Sequence, residues 1–341
     1  MTIACSRLAN LRVPAICAPM FLVSGPDLVI AACKAGMIGS FPALNQRTSQ
    51  GLKQWLAQID GALAETVNPA PYGVNLVVHH SNPRLEADLA VCVEYRVPLV
   101  ITSLGVRPDL IRRVQAYGGL VFHDVTTVKH AKKGIDAQVD GLILVCAGGG
   151  GHSGLLSPFA FLPEVRAVFG GTIAIGGAIS SGQAIAAVRA LGADLAYLGT
   201  RCIATQESMA PAEFKQMLVA GTAADIVYTS AITGVAGNFL RASLCRAGLD
   251  PDHLPAREPG TFATRRTDVE SEGEGVKAWK QIWSAGQGLG SVHDLPTMAD
   301  LTSRLCAEYR QACGALALAA QPVVAGTPAS KAETSTHWEA Q

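Results

Sequence analysis

Short apolar runs without polar alternation recur along this chain, and each is followed by a segment whose apolar positions return every three or four residues. The first pattern belongs to strands covered on both faces, the second to helices with one covered side. Strands are predicted at Val13–Ala18, Met37–Phe41, Tyr72–Val78, Leu99–Ser103, Gly119–His123, Gly141–Val145, Thr172–Ile175 and Leu195–Leu198. The intervening helices are predicted at Asp27–Lys34, Ser49–Glu65, Pro83–Tyr95, Pro108–Ala116, Val128–Ile135, Pro163–Phe169 and Gln183–Leu191, with a terminal helix at Ala299–Ala312. Repeated βα units predict an α/β fold with a parallel sheet, closed as a (β/α)8 TIM barrel. An open doubly wound sheet would alternate in the same way. The barrel is favoured because polar or glycine signals follow nearly every strand: Pro19-Met20, Asn75, Thr102-Ser103, His123-Asp124, Gly176-Gly177 and Gly199-Thr200. In a barrel all of these fall on one rim, the rim that carries active sites.

Residues 1–205 and 276–315 are thereby assigned to the barrel core. Residues 206–275 are read as an insertion over the rim. It holds a helix at Pro211–Ala220, irregular segments, and a polar, glycine-containing loop at Glu258–Glu274. Lys277–Trp283 reads as a helix leading into a second glycine loop, Ser284–Gly290. Residues 316–341, rich in Ala, Pro, Ser and Thr, read as a disordered tail.

The chemistry concentrates after the sixth predicted strand. Four consecutive glycines, Gly148 to Gly151, are followed by one ionisable side chain, His152. Glycine costs backbone entropy and buries little, so the run is expected to serve close approach to a ligand and not packing. Gly149, Gly151 and Gly154 match the spacing of a dinucleotide fingerprint, but Leu155–Pro158 intervenes before any helix and no acidic residue caps the next strand. The Rossmann reading is rejected. The glycine pairs after the seventh and eighth strands stand where barrels commonly bind a phosphate through backbone N–H groups, and the Thr200 hydroxyl adds a donor.

Composition narrows the partners. The 341 residues carry 27 Lys and Arg against 27 Asp and Glu, and this zero balance gives no electrostatic reason to expect nucleic acid or an anionic membrane. The nine cysteines are scattered without CxxC pairs, which predicts free thiols in a reducing cytoplasm and neither a disulfide frame nor a metal site. No segment reads as a signal peptide or a membrane span, so a cytoplasmic location is expected.

Taken together, Ala18-Pro19-Met20, Gly73-Val74-Asn75, Gly150-Gly151-His152-Ser153-Gly154, Ile175-Gly176-Gly177 and Leu198-Gly199-Thr200-Arg201 resemble the nitronate monooxygenases, formerly 2-nitropropane dioxygenases. The stretches Thr233–Arg241 and Trp279–Gly288 resemble the same family. The resemblance implies an FMN-dependent barrel oxidoreductase with cofactor contacts at Pro19, Met20, Phe21, Asn75, Gly150, Gly151, Gly176, Gly177, Gly199 and Thr200. It makes His152 the catalytic residue. The implied reaction is oxidation of alkyl nitronates or nitroalkanes by O2 to carbonyl compounds. The same scaffold is used by NAD(P)H:quinone reductases, so a quinone and NAD(P)H remain the alternative partners, and a homodimer is compatible with either. Three places depart from the family pattern: Cys146-Ala147 stands where many members have an acidic residue, Thr102-Ser103-Leu104-Gly105 replaces the Ser-Phe-His-Phe-Gly of one subclass, and Asp124 stands where several members have a lysine after the histidine of the fifth strand. A carboxylate is unfavourable beside an anionic reduced flavin, so Asp124 is expected to point away or to be compensated.

Overall fold

In the computed structural model, which describes residues 8, 11–254 and 279–319, eight parallel strands close on themselves. They are β1 (Ala15–Cys17), β2 (Ile38–Pro42), β3 (Tyr72–Val77), β4 (Leu99–Ser103), β5 (Leu120–Val125), β6 (Gly141–Val145), β8 (Thr172–Gly176) and β9 (Leu195–Leu198). Each pairs with the next, and β9 pairs back to β1 with Ile16 opposite Tyr197. The predicted barrel is therefore the observed one.

Side chains alternate between the two faces of each strand. Ile16, Ile38, Leu99, Ile101, Leu120, Phe122, Ile143, Ala174 and Leu195 point inward and form one buried cluster that fills the lumen. Large branched and aromatic residues leave no channel there. The next inward positions toward the C-terminal ends are Asn75, Ser103, Asp124, Val145, Gly176 and Tyr197, so the layer facing the mouth is largely polar or small. The outward residues of the strands pack against the helices in the larger core, which includes Val74, Val100, Val121, Leu142, Leu144, Ile173 and Ile175.

The helices around the barrel are α1 (Pro26–Ala35), α2 (Ser49–Ala64), α3 (Leu85–Glu94), α4 (Pro108–Ala116), α5 (Val128–Asp136), α6 (Pro158–Arg166) and α7 (Gly182–Leu191). Their starts follow capping chemistry. The Thr48, Thr127 and Ser181 side chains accept from Gly51, His130 and Ala184 N–H groups. α6 begins five residues before its predicted start because Ser157 caps the Phe159 N–H and Pro158 occupies the first turn. Pro163, expected to open that helix, lies inside it.

Beyond β9 come a short α8 (Thr200–Ile203) and α9 (Ala212–Ala220), the latter close to prediction. The segment expected to be irregular contains β10 (Ile226–Thr229), β11 (Gly237–Leu240) and α10 (Arg241–Arg246). β10 and β11 join the two-residue β7 (Gly151–His152) in a small antiparallel sheet, ordered β10-β11-β7. The predicted helix Lys277–Trp283 is corrected in its described part: Trp279–Gln281 form a turn and Ile282 an isolated bridge. Residues 277–278 and the predicted loop Glu258–Glu274 lie outside the described residues. Among the described residues no helix is long and apolar enough to cross a membrane, and eight cysteines are free, five of them fully enclosed between Cys17 and Cys202.

The last helix, α11 (Met298–Ala319), runs past the predicted end at Ala312. It packs against α7 and α1 across the seam where β9 meets β1. Its buried face is Met298, Leu301, Thr302, Leu305 and Cys306. Contact with α7 is so close that a Cβ on Gly182 would lie 2.4 Å from the Leu305 carbonyl oxygen and 2.4 Å from the Tyr309 nitrogen. The Gly182 N–H also donates to Glu308 Oε2 at 2.7 Å. Gly182→Ala is expected to cost about 1–3 kcal/mol, the usual penalty of overpacking; urea unfolding measures it, and an unchanged midpoint would contradict this docking.

Candidate active site

The C-terminal mouth of the barrel opens into a cavity of about 460 Å³. Its floor is the polar layer of Asn75, Ser103, Asp124, Val145, Gly176 and Tyr197. Its walls come from four loops and the insertion. All the residues singled out in the sequence line it: Pro19, Met20 and Phe21 on one side, Gly150, Gly151 and His152 on another, and Gly176, Gly177, Gly199 and Thr200 at the ends of β8 and β9.

The loop after β1 is held by a side chain the sequence did not single out. Asn45 Nδ2 donates to Met20 O at 3.0 Å and to Ser24 O at 2.8 Å, while Asn45 Oδ1 accepts from the Leu22 N–H at 2.9 Å. Arg201, beside Thr200, does not reach the cavity. Its buried guanidinium donates to Asp294 Oδ1 at 2.7 Å and to the Ala204 carbonyl at 3.2 Å, tying α8 to the segment before α11.

The four-glycine run lines the cavity, as expected, and also packs closely, which was not expected. It packs backbone against backbone. A Cβ on Gly286 would lie 2.4 Å from Gly148 O, and a Cβ on Gly237 would lie 2.6 Å from Gly151 O. Gly148 and Gly151 also have φ of 80° and 70°, the left-handed region. The first two carbonyls are engaged locally: Gly148 O accepts from the Ala178 and Gln287 N–H groups at 3.2 and 2.8 Å, and Gly149 O from Asn238 Nδ2 at 2.6 Å. Glycine here lets the loops after β6, β8 and β11 and the Ser284–Gly290 loop interlock. The ligand-facing surface is a consequence of that packing.

His152 is positioned by the same interlock. As part of β7 it pairs with Gly237 of β11. Its Nε2 is 2.9 Å from Thr233 Oγ1, and its ring meets Trp279 edge-on at 5.2 Å. Thr233 donates its own proton to Val235 O at 2.9 Å. Its oxygen therefore accepts from Nε2–H, which assigns the base lone pair to Nδ1. Burial pulls the His152 pKa down to about 4, so the ring is neutral at pH 7.

Several lining groups were missed in the sequence. Ser180 and Ser284 line the cavity and each has a buried hydroxyl oxygen without a protein partner. Thr200 Oγ1 accepts from the Gly286 N–H at 2.8 Å, so its own proton is not consumed by that bond. Phe214 and Trp283 stack at 4.9 Å on the insertion side, and Arg246 lies 3.6 Å above the Trp283 ring. Isolated serines carry no signal in sequence, and Phe214 and Trp283 are distant from the barrel motifs.

A closed (β/α)8 barrel carries a neutral histidine over its glycine-lined mouth, the rim where barrel enzymes place their active sites. Residues 81–308 match the family model described as nitronate monooxygenase, and the chain belongs to that family of flavin-dependent oxidoreductases. A nitronate monooxygenase of Paraburkholderia phytofirmans is 25% identical, over 89% of this chain and 94% of its own. A (3aS,4S,5R,7aS)-5-hydroxy-7a-methyl-1-oxo-octahydro-1H-indene-4-carboxyl-CoA dehydrogenase of Rhodococcus jostii is 24% identical, over 89% and 95%. Among solved structures, the nitroalkane oxidase of Streptomyces ansochromogenes superposes with a TM-score of 0.75 at 27% identity, covering 92% of this chain and 99% of that one. FabK of Thermotoga maritima, at 22% identity and a TM-score of 0.74, shares the fold.

The buried histidines make stability pH-dependent. His152 and His123 both titrate near pH 4 in the fold, below the ordinary 6.5. The unfolded chain binds more protons there between pH 6.5 and 4, so acidification through that window destabilises the fold. Asp124, raised to about 7, acts oppositely: its contribution is full below pH 3.8 and lost as pH rises through 7. From pH 7 to 4.5 the wild-type chain should lose more stability than His152→Asn, by roughly 1–2 kcal/mol after allowing for water in the cavity. Equal losses in urea titrations would contradict a buried neutral imidazole.

Proposed function

We propose that the cavity binds FMN and that the enzyme oxidises nitroalkanes or their nitronates with O2. The observation that carries this reading is the neutral His152, held by Thr233 and Trp279 over the same cavity as the glycine ends of β8 and β9. The residues present fit the cofactor. The volume lies within the usual range of small-molecule sites, about 300–1,000 Å³. The unpartnered Ser180 and Ser284 hydroxyls and the unspent Thr200 proton are donors suited to an acceptor-rich group such as a phosphate. Gly176, Gly177, Gly199 and Thr200 would hold the phosphate end, with Pro19, Met20, Phe21, Asn75, Gly150 and Gly151 around the ring. Bound there, FMN would accept the two electrons that leave the substrate and deliver them to O2.

The chain's own contribution is proton transfer and exclusion of water. His152 removes the proton from the carbon beside the nitro group. Negative charge growing on the nitro oxygens opposes the desolvation that keeps the imidazole neutral, so the base strengthens as the proton moves. Thr233 and Trp279 fix the ring, and Phe214 and Trp283 close the apolar side of the cavity.

Two experiments test this. A Cβ on Gly199 would meet only the Met20 sulfur, at 3.8 Å, so a side chain there enters the cavity without disturbing the barrel. Gly199→Val should fold with a melting temperature close to wild type and purify largely without yellow colour. Wild-type flavin content in that variant would remove the phosphate from this end of the cavity. His152→Asn should lose roughly two to four orders of magnitude in kcat/KM with neutral nitroalkanes, the usual size of a general-base contribution, and much less with nitronates, which have already lost the proton. Comparable losses in KM with both would assign His152 to anion binding. If the reaction is quinone reduction or dehydrogenation of a CoA thioester, nitronate turnover will be slow before any substitution.

A further inference from the structure

The floor of the cavity holds a polar chain that the proton transfer at His152 does not use. Asn75 Nδ2 donates to Ser103 Oγ at 2.6 Å and to Ile101 O at 3.2 Å. Ser103 Oγ and Asp124 Oδ2 are 2.6 Å apart. Asp124 Oδ1 is shielded from water and has no hydrogen-bond partner. Asn75, Ser103 and Asp124 all line the cavity.

The proton inventory decides what this pair can do. If Asp124 is a carboxylate, the single Ser103 proton is spent on Oδ2, and Ser103 Oγ is already accepting from Asn75. The pair then has nothing to donate, and one charged oxygen stays buried without a donor, which is costly. If Asp124 is a neutral acid, two protons are shared between Ser103 Oγ and Oδ2. One bridges the two oxygens, and the other leaves a spare O–H donor. Oδ1 becomes a carbonyl oxygen, for which an unpaired burial costs far less.

Among the described residues no cation acts on Asp124 to offset the charge of the carboxylate form. From β9, across the lumen, it faces Tyr197, whose ionisation is pushed well up by burial and by Asp124 itself, with Cys17 of β1 behind that ring. β4 and β3 present Ser103 and Asn75, and β6 presents Val145. His123 of the same strand is turned to the outer face, its Nδ1 2.9 Å from Thr102 Oγ1. His152, over the cavity, is neutral at pH 7, and the exposed Lys280 lies at the cavity edge. Burial accordingly raises the Asp124 pKa to about 7 against the lowering effect of Ser103.

We propose that the Ser103–Asp124 pair carries an extra proton and through it donates a hydrogen bond to an acceptor atom of the flavin ring. The proposal rests on the cofactor reading above. It resolves one departure from the family pattern: the acid supplies a donor where other members have a lysine, and it does so only while protonated. A flavin bound to this donor favours the protonated pair, so cofactor affinity falls once the pair ionises.

The test is FMN binding to apoprotein from pH 5.5 to 9.5, compared among wild type, Asp124→Asn and Asp124→Ala. Ionisations of FMN itself are common to all three. Wild-type Kd should be flat in acid, rise toward about tenfold per pH unit above the pKa of the pair in the apoprotein, and level off above its pKa in the complex. Asp124→Asn keeps a donor but cannot ionise; its Kd should lack that rise and stay near the wild-type value at pH 6. Asp124→Ala should also lack the rise but bind about tenfold more weakly at pH 6, one lost hydrogen bond. A second readout needs no flavin: the infrared difference between wild-type and Asp124→Asn apoprotein should contain a carboxylic-acid C=O band at pH 5.5 that is lost above pH 8.5. The proposal is overturned if wild type and Asp124→Asn share one pH profile, or if the band is absent at pH 5.5. A wild-type chain that binds no FMN sinks the cofactor reading and this proposal together. Normal FMN binding with identical profiles sinks the proposal alone.

Discussion

Backbone-to-backbone contact between glycine loops is the constraint on which the rest of the site depends. The loop after β6 can lie on the Ser284–Gly290 loop and on β11 only because Gly286 and Gly237 leave no Cβ between the chains. That contact creates the pairing of β7 with β11, and the pairing sets where His152 stands. It also brings Asn238 onto Gly149 O and Thr233 onto the imidazole, so the histidine's tautomer and orientation come from residues more than 80 positions away. A residue with a Cβ at either glycine would push the insertion off the barrel and move the base with it.

The barrel below this contact separates two electrostatic environments. Its lumen is filled with aliphatic and aromatic side chains, and its last inward layer turns polar. Desolvation holds the groups at that boundary toward their neutral forms: His152 is pulled down and Asp124 is pushed up. Among the described residues that line the cavity, the ionisable side chains besides Tyr197 are His152, neutral at pH 7, Asp124, raised to about 7, and Lys280 at the edge. Such a site suits a reaction in which charge appears on substrate or cofactor only as the proton and electrons move.

Much of this was legible from the order of residues. The strands of the barrel could be read because each is buried on both faces and announces itself as an unbroken apolar run. The rim residues could be read because every one follows such a run directly. The small sheet β10-β11-β7 could not: Gly237–Leu240 and Gly151–His152 are too short and glycine-rich to have strand periodicity, and their pairing depends on a partner far along the chain. The packing role of the glycine run was not legible, since a sequence shows that side chains are missing but not what backbone fills the space. Asn45 and Ser180 left no trace because a single polar residue in a loop has no pattern until its partners are placed.

The central claim is that this cavity holds a flavin reduced by a nitro compound through His152. Its most direct test is to mix the purified flavoprotein anaerobically with a nitroalkane, a pre-formed nitronate, NADH or NADPH and follow the flavin absorbance. The account predicts that the nitro compounds bleach the flavin and that admitted air restores the colour, while the pyridine nucleotides leave the spectrum unchanged. Bleaching by NADH or NADPH with no response to either nitro compound would contradict it.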